Sequence, residues 1–188
     1  MKITLASGSP RRRELLEMLG ADFEVLPAKG EESAEPGLSP ENTVKSLAAA
    51  KAEEVLSLVP GGLVLAADTI VELDGEILGK PKDGEDAKAM LRRLSGREHR
   101  VYTGVAVLCG KDRIIETEET KVFFRVLSES EIAAYAATGE PLDKAGAYGA
   151  QGIASLFVER IDGDFFNVMG LPICRVGRML SKIGCELI

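Results

Sequence analysis

A continuous apolar run at residues 63–67, Leu-Val-Leu-Ala-Ala, constrains the fold of this 188-residue chain more than any other feature. The run follows two glycines and contains no polar residue, so it predicts a strand that is buried on both faces. Such strands are typical of a sheet with a parallel part that is covered by helices. Helix and strand signals alternate along the rest of the chain. We therefore predict an α/β fold with a mixed, twisted sheet flanked by helices.

Local signals place the other elements. A serine followed by a proline, at Ser9-Pro10 and at Ser39-Pro40, is typical of a helix N-terminus. Ser128 and Glu131 form a capping-box pattern. Asp74-Gly75 predicts a tight hairpin between two short strands. The predicted strands cover 3–6, 23–26, 63–67, 70–73, 76–78, 101–108, 113–127 and 155–161, and the predicted helices begin near residues 10, 40, 84, 128 and 172.

Composition bounds the function classes. The length and the 45% hydrophobic content fit a single domain over residues 1–188. The net charge of −7 argues against a nucleic-acid polymer as partner. No apolar run reaches the roughly 18 residues of a membrane span, and one histidine excludes a multi-histidine metal site. Three widely spaced cysteines predict reduced thiols and a cytoplasmic protein. The oligomeric state stays open, a homodimer included.

The first candidate site is a strand-to-helix turn with three serine or glycine residues and three arginines, Ser7-Gly8-Ser9-Pro10-Arg11-Arg12-Arg13. A helix N-terminus has unpaired N–H groups and a partial positive charge, so it binds anions. Arginine matches the oxygens of phosphate. The alternative is that Ser9 only caps a helix. Three cations oppose the helix dipole there, which favours a nearby phosphate.

The second candidate is Asp68, which the sequence places at the carboxyl end of the buried strand, where ligands of α/β sheets bind. It can hold Mg²⁺ or accept a proton from water, and a turn-capping role is about equally common. Lys51 and Lys80 are candidate cationic partners, although each alone is more often solvated. Lys82 is read as exposed. A loop carboxylate of the pair Glu31-Glu32 could share a divalent cation with Asp68.

The third candidate is the glycine-rich stretch 139–152, whose small residues permit a close approach to a ligand. The amide of Gln151 could read the N3–H and carbonyl edge of uracil or thymine. An exposed structural glutamine is the alternative. Tyr148 could stack on a base, but a core role is the default, as it is for His99. Cys174 and Cys185 are predicted to be core residues of the last helix.

Six stretches of the chain also match the motifs of a known family, in the same order along the sequence. They are Leu-Ala-Ser-Gly-Ser-Pro-Arg-Arg at 5–12, Ala-Asp-Thr-Ile-Val at 67–71, Gly-Lys-Pro at 79–81, Leu-Ser-Gly at 94–96 with His99 and Thr103-Gly104, Asp-Lys-Ala-Gly-Ala-Tyr-Gly-Ala-Gln-Gly at 143–152, and Gly-Leu-Pro at 170–172. Together they resemble the Maf family, also called septum formation proteins, which are nucleoside triphosphate pyrophosphatases. The resemblance spans essentially the whole chain.

The resemblance implies a fold with a central nucleotide-binding cleft. It implies hydrolysis of a nucleoside triphosphate to the monophosphate and pyrophosphate with Mg²⁺ or Mn²⁺. Asp68 corresponds to the proton acceptor, and Glu32 to the loop glutamate that joins it at the metal. The phosphate-binding positions correspond to Ser7, Ser9, Arg11, Arg12, Lys51 and Lys80. Substrate choice in the family is attached to positions that fall on Arg11, Thr69 and Gln151.

The stretch at 143–152 resembles the branch of the family that acts on dTTP and UTP, whereas a sister branch for 7-methyl-GTP differs there. Two departures are Lys29-Gly30, ahead of the loop glutamates, and Ala150, where relatives often have a bulkier aliphatic residue. A role in nucleotide housecleaning or in cell-division arrest is implied by resemblance only. Two other readings stay open: a non-catalytic nucleotide-binding regulator of septum formation, and a phosphatase that removes the terminal phosphate.

Overall fold

The computed structural model describes residues 1–30 and 37–187. Its backbone contacts divide the chain into two compact units. Unit 1 comprises Met1–Asp68, Thr103–Glu118 and Gly170–Ile188, and unit 2 comprises Thr69–Tyr102 and Glu119–Met169. The single domain over residues 1–188 stays a prediction. Within the described residues, no helix is both long enough and apolar enough to cross a membrane.

Strands and helices alternate, as the sequence predicts. The strands are β1 Ile3–Leu5, β2 Phe23–Val25, β3 Leu63–Leu73, β4 Glu76–Leu78, β5 Glu98–Cys109, β6 Asp112–Phe124 and β7 Val158–Asp162. The α-helices are α1 Pro10–Met18, α2 Pro40–Leu58, α3 Gly84–Leu94, α4 Glu129–Ala137, α5 Phe165–Met169 and α6 Ile173–Ser181. Short 3₁₀ helices cover Glu140–Asp143, Ala145–Ala147 and Ile153–Phe157.

The strands form a mixed sheet in the order β2-β1-β3-β5-β6-β7, with β4 paired to β3. β1 runs parallel to both β2 and β3, and its Leu5 lies opposite Leu65. The pairs β3–β4 and β6–β7 are antiparallel. Both the α/β class and the mixed sheet are therefore confirmed.

In unit 1, helix α2 packs on the sheet through small residues. Ala48 and Ala52 lie in one buried cluster with Val64, Ala66 and other apolar residues of the neighbouring strands. The first five residues of β3 are all buried, as the apolar run predicts. Gly104 permits the close approach of helix and strand, because a Cβ there would overlap the backbone of Val44. Ser39 caps α2 by accepting a hydrogen bond from the Asn42 amide.

In unit 2, helices α3 and α4 cover a second apolar cluster that includes Leu91, Ile132 and Phe124. The hairpin turn is confirmed: Asp74 and Gly75 both have positive φ, 55° and 84°, as a type I′ turn requires. The capping box of α4 is confirmed too. Its glutamate, Glu131, has a pKa lowered to about 2 by hydrogen bonds from the Arg125 guanidinium and from Ser128.

Several predicted strands are wrong in their bounds. The segments 63–67 and 70–73 form one strand, β3, because the Thr-Ile-Val sequence after Asp68 continues the extended backbone. Asp68 therefore lies inside β3 rather than at its end. The strand predicted to begin at residue 155 begins at Val158, since Ile153–Phe157 forms a 3₁₀ helix.

The cysteine prediction is half right. Cys185 is buried, but Cys174 is exposed. Cys174 lies on the polar side of α6, whose buried positions are Val176, Met179 and Leu180. Cys185 follows the helix rather than lying on it, because α6 ends at Ser181.

Candidate active site

The turn between β1 and α1 is built around the Ser7 hydroxyl. Ser7 is buried, and its Oγ accepts hydrogen bonds from the Ser9 amide at 3.3 Å and from Arg12 Nη1 at 3.0 Å. Ser9 occupies the N-cap position, yet its side chain makes no capping hydrogen bond within the described chain. A purely capping role for Ser9 is therefore wrong. The structure leaves its hydroxyl at the start of a helix whose first turn contains no acidic residue.

The three arginines of this turn differ in their surroundings. Arg12 donates from Nε to the Gly170 carbonyl at 2.8 Å as well as to Ser7, so it braces the turn within unit 1. Arg13 is exposed and pairs with Glu17 one helical turn along, at 2.8 Å. Arg11 is half-buried on the first turn of α1. This charge at a helix N-terminus suits an anion.

Lys51 and Asp68 meet directly inside unit 1. Lys51 Nζ lies 2.6 Å from Asp68 Oδ1, and the two side chains are only 14% and 10% exposed. The solvated and snorkelling readings of Lys51 are therefore wrong, as is the turn-capping reading of Asp68. The parallel pairing of β1 with β3 ends at Leu5 opposite Leu65, and the Ala6 amide donates to the Leu65 carbonyl at 2.8 Å. Asp68 lies on β3 three residues beyond Leu65.

The remaining predicted site residues that the structure describes belong to unit 2. Thr69 is half-buried in β3, and Lys80 is exposed just after β4. The Gly146 amide donates to the Gly79 carbonyl at 3.0 Å, which ties the Lys80 segment to the glycine-rich stretch. Lys82 is exposed, as predicted.

Gln151 is exposed in the turn that precedes the 3₁₀ helix Ile153–Phe157. An exposed amide at this position is accessible to a ligand.

Tyr148 and His99 are core residues, as predicted by default. Tyr148 Oη and His99 Nε2 are 2.7 Å apart, and both rings pack edge-on against each other and against Phe124. Burial raises the pKa of Tyr148 and lowers the pKa of His99 to about 3. Base stacking on Tyr148 is wrong, because its ring is enclosed by these neighbours.

Of the two predicted metal ligands, Asp68 lies in the described chain. Across residues 1–30 and 37–187, no group of three His, Cys, Asp or Glu side chains could hold a metal. The predicted second ligand, Glu32, lies outside the described residues. Asp68 uses Oδ1 for Lys51, and no hydrogen bond to Oδ2 comes from the described chain. One carboxylate together with the phosphate oxygens of a substrate fits the coordination that Mg²⁺ adopts.

Sequence reasoning missed two residues that hold the glycine-rich stretch: Tyr135, which lies on α4, and Glu140, which lies in the stretch itself. The Tyr135 hydroxyl donates to Glu140 Oε1 at 3.0 Å, and Ile153 N donates to Glu140 Oε2 at 3.3 Å. Burial, followed by the Glu140 charge, raises the pKa of Tyr135. Glu140 follows Tyr135 by five positions and lies beyond the end of α4, so neither the helical nor the strand periodicity predicts that the two side chains meet. The one available signal was a glutamate between glycine and proline.

This fold and these side chains define a mixed α/β protein with an arginine-rich turn after β1 and a buried, lysine-paired carboxylate inside β3. The family model described as "Maf-like protein" matches residues 2–183. The chain belongs to the Maf-like family, in agreement with the motifs of its sequence.

The similar curated proteins carry one name. A "dTTP/UTP pyrophosphatase" of Geobacillus sp. (strain WCH70) is 51% identical over 183 residues, which cover 97% of this chain and 98% of the relative. A protein of the same name from Pelotomaculum thermopropionicum is 47% identical, and the match covers 100% of this chain and 99% of the relative.

One solved structure similar to this chain is a nucleoside-triphosphatase / dITP/XTP pyrophosphatase from Mycobacterium abscessus. It is 18% identical and has a TM-score of 0.48, and the match covers 97% of this chain and 98% of the solved chain. The fold assignment rests on the sheet described above and not on this likeness.

Proposed function

We propose that this protein hydrolyses nucleoside triphosphates, dTTP and UTP above others, to the monophosphate and pyrophosphate. One observation carries the proposal: a Lys51–Asp68 ion pair whose side chains are only 14% and 10% exposed, in the same unit as the serine- and arginine-rich turn. Membership of the Maf-like family and the shared name of the close relatives support the same reaction and the same substrates.

Asp68 is the proposed general base. It orients a water molecule, takes one of its protons, and the resulting hydroxide attacks the α-phosphorus. The bond from that phosphorus to the bridging oxygen breaks, and its electron pair leaves with pyrophosphate. Lys51 fixes the carboxylate by holding Oδ1 at 2.6 Å, so that Oδ2 is available to the water. Positioning and electrostatic stabilisation provide most of the catalysis in such reactions.

The triphosphate is proposed to bind the cationic and hydroxyl groups of Ser7, Ser9, Arg11, Arg12, Lys51 and Lys80. Their local positive charge offsets the repulsion that a protein of net charge −7 would exert on a polyanion. Arg12 contributes chiefly by fixing the turn, because it already donates to Ser7 and Gly170. Lys80 is exposed and can move toward an anion.

A divalent cation, Mg²⁺ or Mn²⁺, is proposed as cofactor. Asp68 and Glu32 would hold it, and it would supply charge neutralisation for the triphosphate. Removal of divalent cations with a chelator should then abolish turnover, and their return should restore it.

The base is proposed to be read by Arg11, Thr69 and Gln151. The Gln151 amide has one donor and one acceptor side, which complement the edge that uracil and thymine share. Cytosine presents an amino group in place of one carbonyl, so the same amide would meet a donor where it needs an acceptor.

A panel of nucleotides tests the proposal. The pure protein is incubated with dTTP, UTP, CTP, GTP or 7-methyl-GTP and a divalent cation, and both pyrophosphate and orthophosphate are measured. We expect pyrophosphate from dTTP and UTP. Nucleotide binding without product would instead indicate a non-catalytic regulator, and orthophosphate as the sole product would indicate a phosphatase.

The cytoplasmic location and the homodimer stay predictions. Size-exclusion chromatography with light scattering would measure the oligomeric state directly.

A further inference from the structure

The turn that carries Gln151 lies between two short 3₁₀ helices, Ala145–Ala147 and Ile153–Phe157, and its backbone hydrogen bonds are local. Residues 150–152 form a turn. The Gly152 amide donates to the Gly149 carbonyl at 3.0 Å, and the Gly152 carbonyl accepts from the Ser155 amide at 3.0 Å, so both of these backbone hydrogen bonds lie within the segment 149–155. Such a turn does not fix its own orientation relative to the unit. Something else must anchor it.

The anchor is a pair of side chains, Tyr135 and Glu140. The Gly149 amide donates to Tyr135 Oη at 3.4 Å, and the Ile153 amide donates to Glu140 Oε2 at 3.3 Å. The two amides stand two residues before and two residues after Gln151. Tyr135 Oη in turn donates to Glu140 Oε1 at 3.0 Å. Both ends of the turn are therefore attached to one hydrogen-bonded pair.

The pair itself is rigidly placed within unit 2. Tyr135 lies on α4 and is 2% exposed, and its ring packs edge-on against Phe157 at 5.2 Å between centroids. Both backbone groups of Glu140 are hydrogen-bonded. Its amide donates to Thr138 Oγ1 at 3.1 Å, and its carbonyl accepts from Lys144 Nζ at 2.6 Å.

Gly152 fits the same arrangement. A Cβ at that position would overlap the Glu140 carboxylate. The glycine therefore lets the carboxylate lie directly against the turn.

We infer that Tyr135 and Glu140 are positioning residues that orient Gln151 and so determine how well the enzyme distinguishes the base of its substrate, an inference that rests on the proposed function. Neither residue touches the substrate. Loss of either hydrogen bond lets the turn move. The Gln151 amide then favours the edge of thymine over that of cytosine less strongly.

The test is a double-mutant cycle on discrimination, defined as the kcat/KM for dTTP divided by that for CTP. The variants are Glu140→Gln, Tyr135→Phe, Gln151→Ala and the Glu140→Gln/Gln151→Ala pair. Glu129→Gln is the matched control. It is the same glutamate-to-glutamine substitution, but at an exposed residue of α4 that pairs with Arg92 and not with the Gln151 turn. Hydrogen exchange at the Gly149 and Ile153 amides is measured for each protein.

We expect Glu140→Gln and Tyr135→Phe each to lower discrimination about fivefold, the factor of one hydrogen bond. Exchange at the two amides should accelerate in the same variants. In the Gln151→Ala background, Glu140→Gln should change discrimination no further. The Glu129→Gln control should match the wild type in both readouts.

Three results would overturn the inference. The first is equal slowing on dTTP and CTP with unchanged discrimination, which a merely structural role would give. The second is an effect of Glu140→Gln that persists in full without Gln151. The third is unchanged exchange at both amides in Tyr135→Phe, a variant that removes only a hydroxyl. If the wild type turns over no nucleotide, the proposed function fails as well, whereas a failure confined to the Tyr135 and Glu140 variants leaves it intact.

Discussion

The two units hold their candidate residues in different ways. In unit 1, Lys51 lies on a long helix and Asp68 inside a long strand, and an ion pair with little exposure to solvent joins them. In unit 2, Lys80 lies on an irregular segment and Gln151 on a turn, and both are exposed; the side chains of Tyr135 and Glu140 anchor the Gln151 turn.

This difference matches the two proposed tasks. A group that takes a proton must be held within a few tenths of an ångström of its working position. Helices and strands do this better than loops. A group that reads the base needs access to solvent and a surface that can vary between relatives, and a turn offers both.

The largest effect should come from the reacting group of unit 1. Asp68→Asn keeps the shape of the side chain and removes the base, so kcat should fall by about 10²- to 10⁴-fold. Asp22→Asn, at an exposed residue outside the site, is the matched control. Pyrophosphate release from dTTP measures both. Full activity of Asp68→Asn with an intact fold would show that the base lies elsewhere.

The next effect concerns the glycines of the two units. Gly104→Ala in unit 1 places a Cβ against the Val44 backbone, which cannot yield easily, and should lower the free energy of unfolding by about 1–3 kcal/mol. Gly152→Ala in unit 2 meets the end of a side chain and should cost less. Denaturant unfolding compares them. Equal losses would contradict the idea that unit 1 depends more on rigid packing.

Gly177→Ala is the control for these substitutions. It lies on α6, and a Cβ there would meet nothing within 4 Å. Alanine is a better helix former than glycine by about 1 kcal/mol, so this variant should be as stable as the wild type or more stable.

A pH effect should arise in unit 2 from His99, the one histidine of the chain. Its pKa falls to about 3 because burial disfavours the charged ring, whereas the unfolded chain titrates near pH 6.5. Between these values the unfolded state binds the extra proton. The contribution of His99 to the free energy of unfolding is therefore fully present above about pH 6.5. It is lost as the pH falls toward 3, at up to about 1.4 kcal/mol per pH unit.

His99→Phe should flatten this dependence. Free energies of unfolding of both proteins, measured from pH 5 to 7, give the difference in slope. The window stays above the range in which most carboxylates titrate. Identical slopes would mean that folding does not lower the pKa of His99.

The smallest effect should come from a surface ion pair of unit 2. Arg92 and Glu129 form a bidentate pair with contacts of 2.8 and 2.9 Å, but their side chains are 47% and 70% exposed. Solvent screens such pairs strongly. Glu129→Gln should leave Tm unchanged within error, and a clear drop in a thermal melt would argue against that screening.

Local chemistry explains which parts of the structure were predictable. The α/β class, helix α2, the hairpin turn and the capping box each follow from signals within a few residues. The continuation of β3 through Asp68 was not predictable, because a carboxylate ends an apolar run in the sequence. The strand can accommodate it because Lys51 supplies a partner from another element.

The candidate site shows the same limit. Motif resemblance pointed to Asp68, Lys51 and the Ser7 turn, and the structure brings the first two into contact. Sequence could not show that Arg12 braces Gly170, since the two are 158 residues apart. Nor could it identify Glu140, whose partners are a helix hydroxyl and a backbone amide that no periodic pattern connects.

Attack of water on the α-phosphorus is the central claim, and isotope labelling tests it most directly. A single turnover of dTTP in ¹⁸O-water, followed by mass spectrometry of both products, shows which phosphorus receives the water oxygen. The account predicts one ¹⁸O atom in the nucleoside monophosphate and none in pyrophosphate. Label in pyrophosphate or in orthophosphate, with an unlabelled nucleotide, would contradict it.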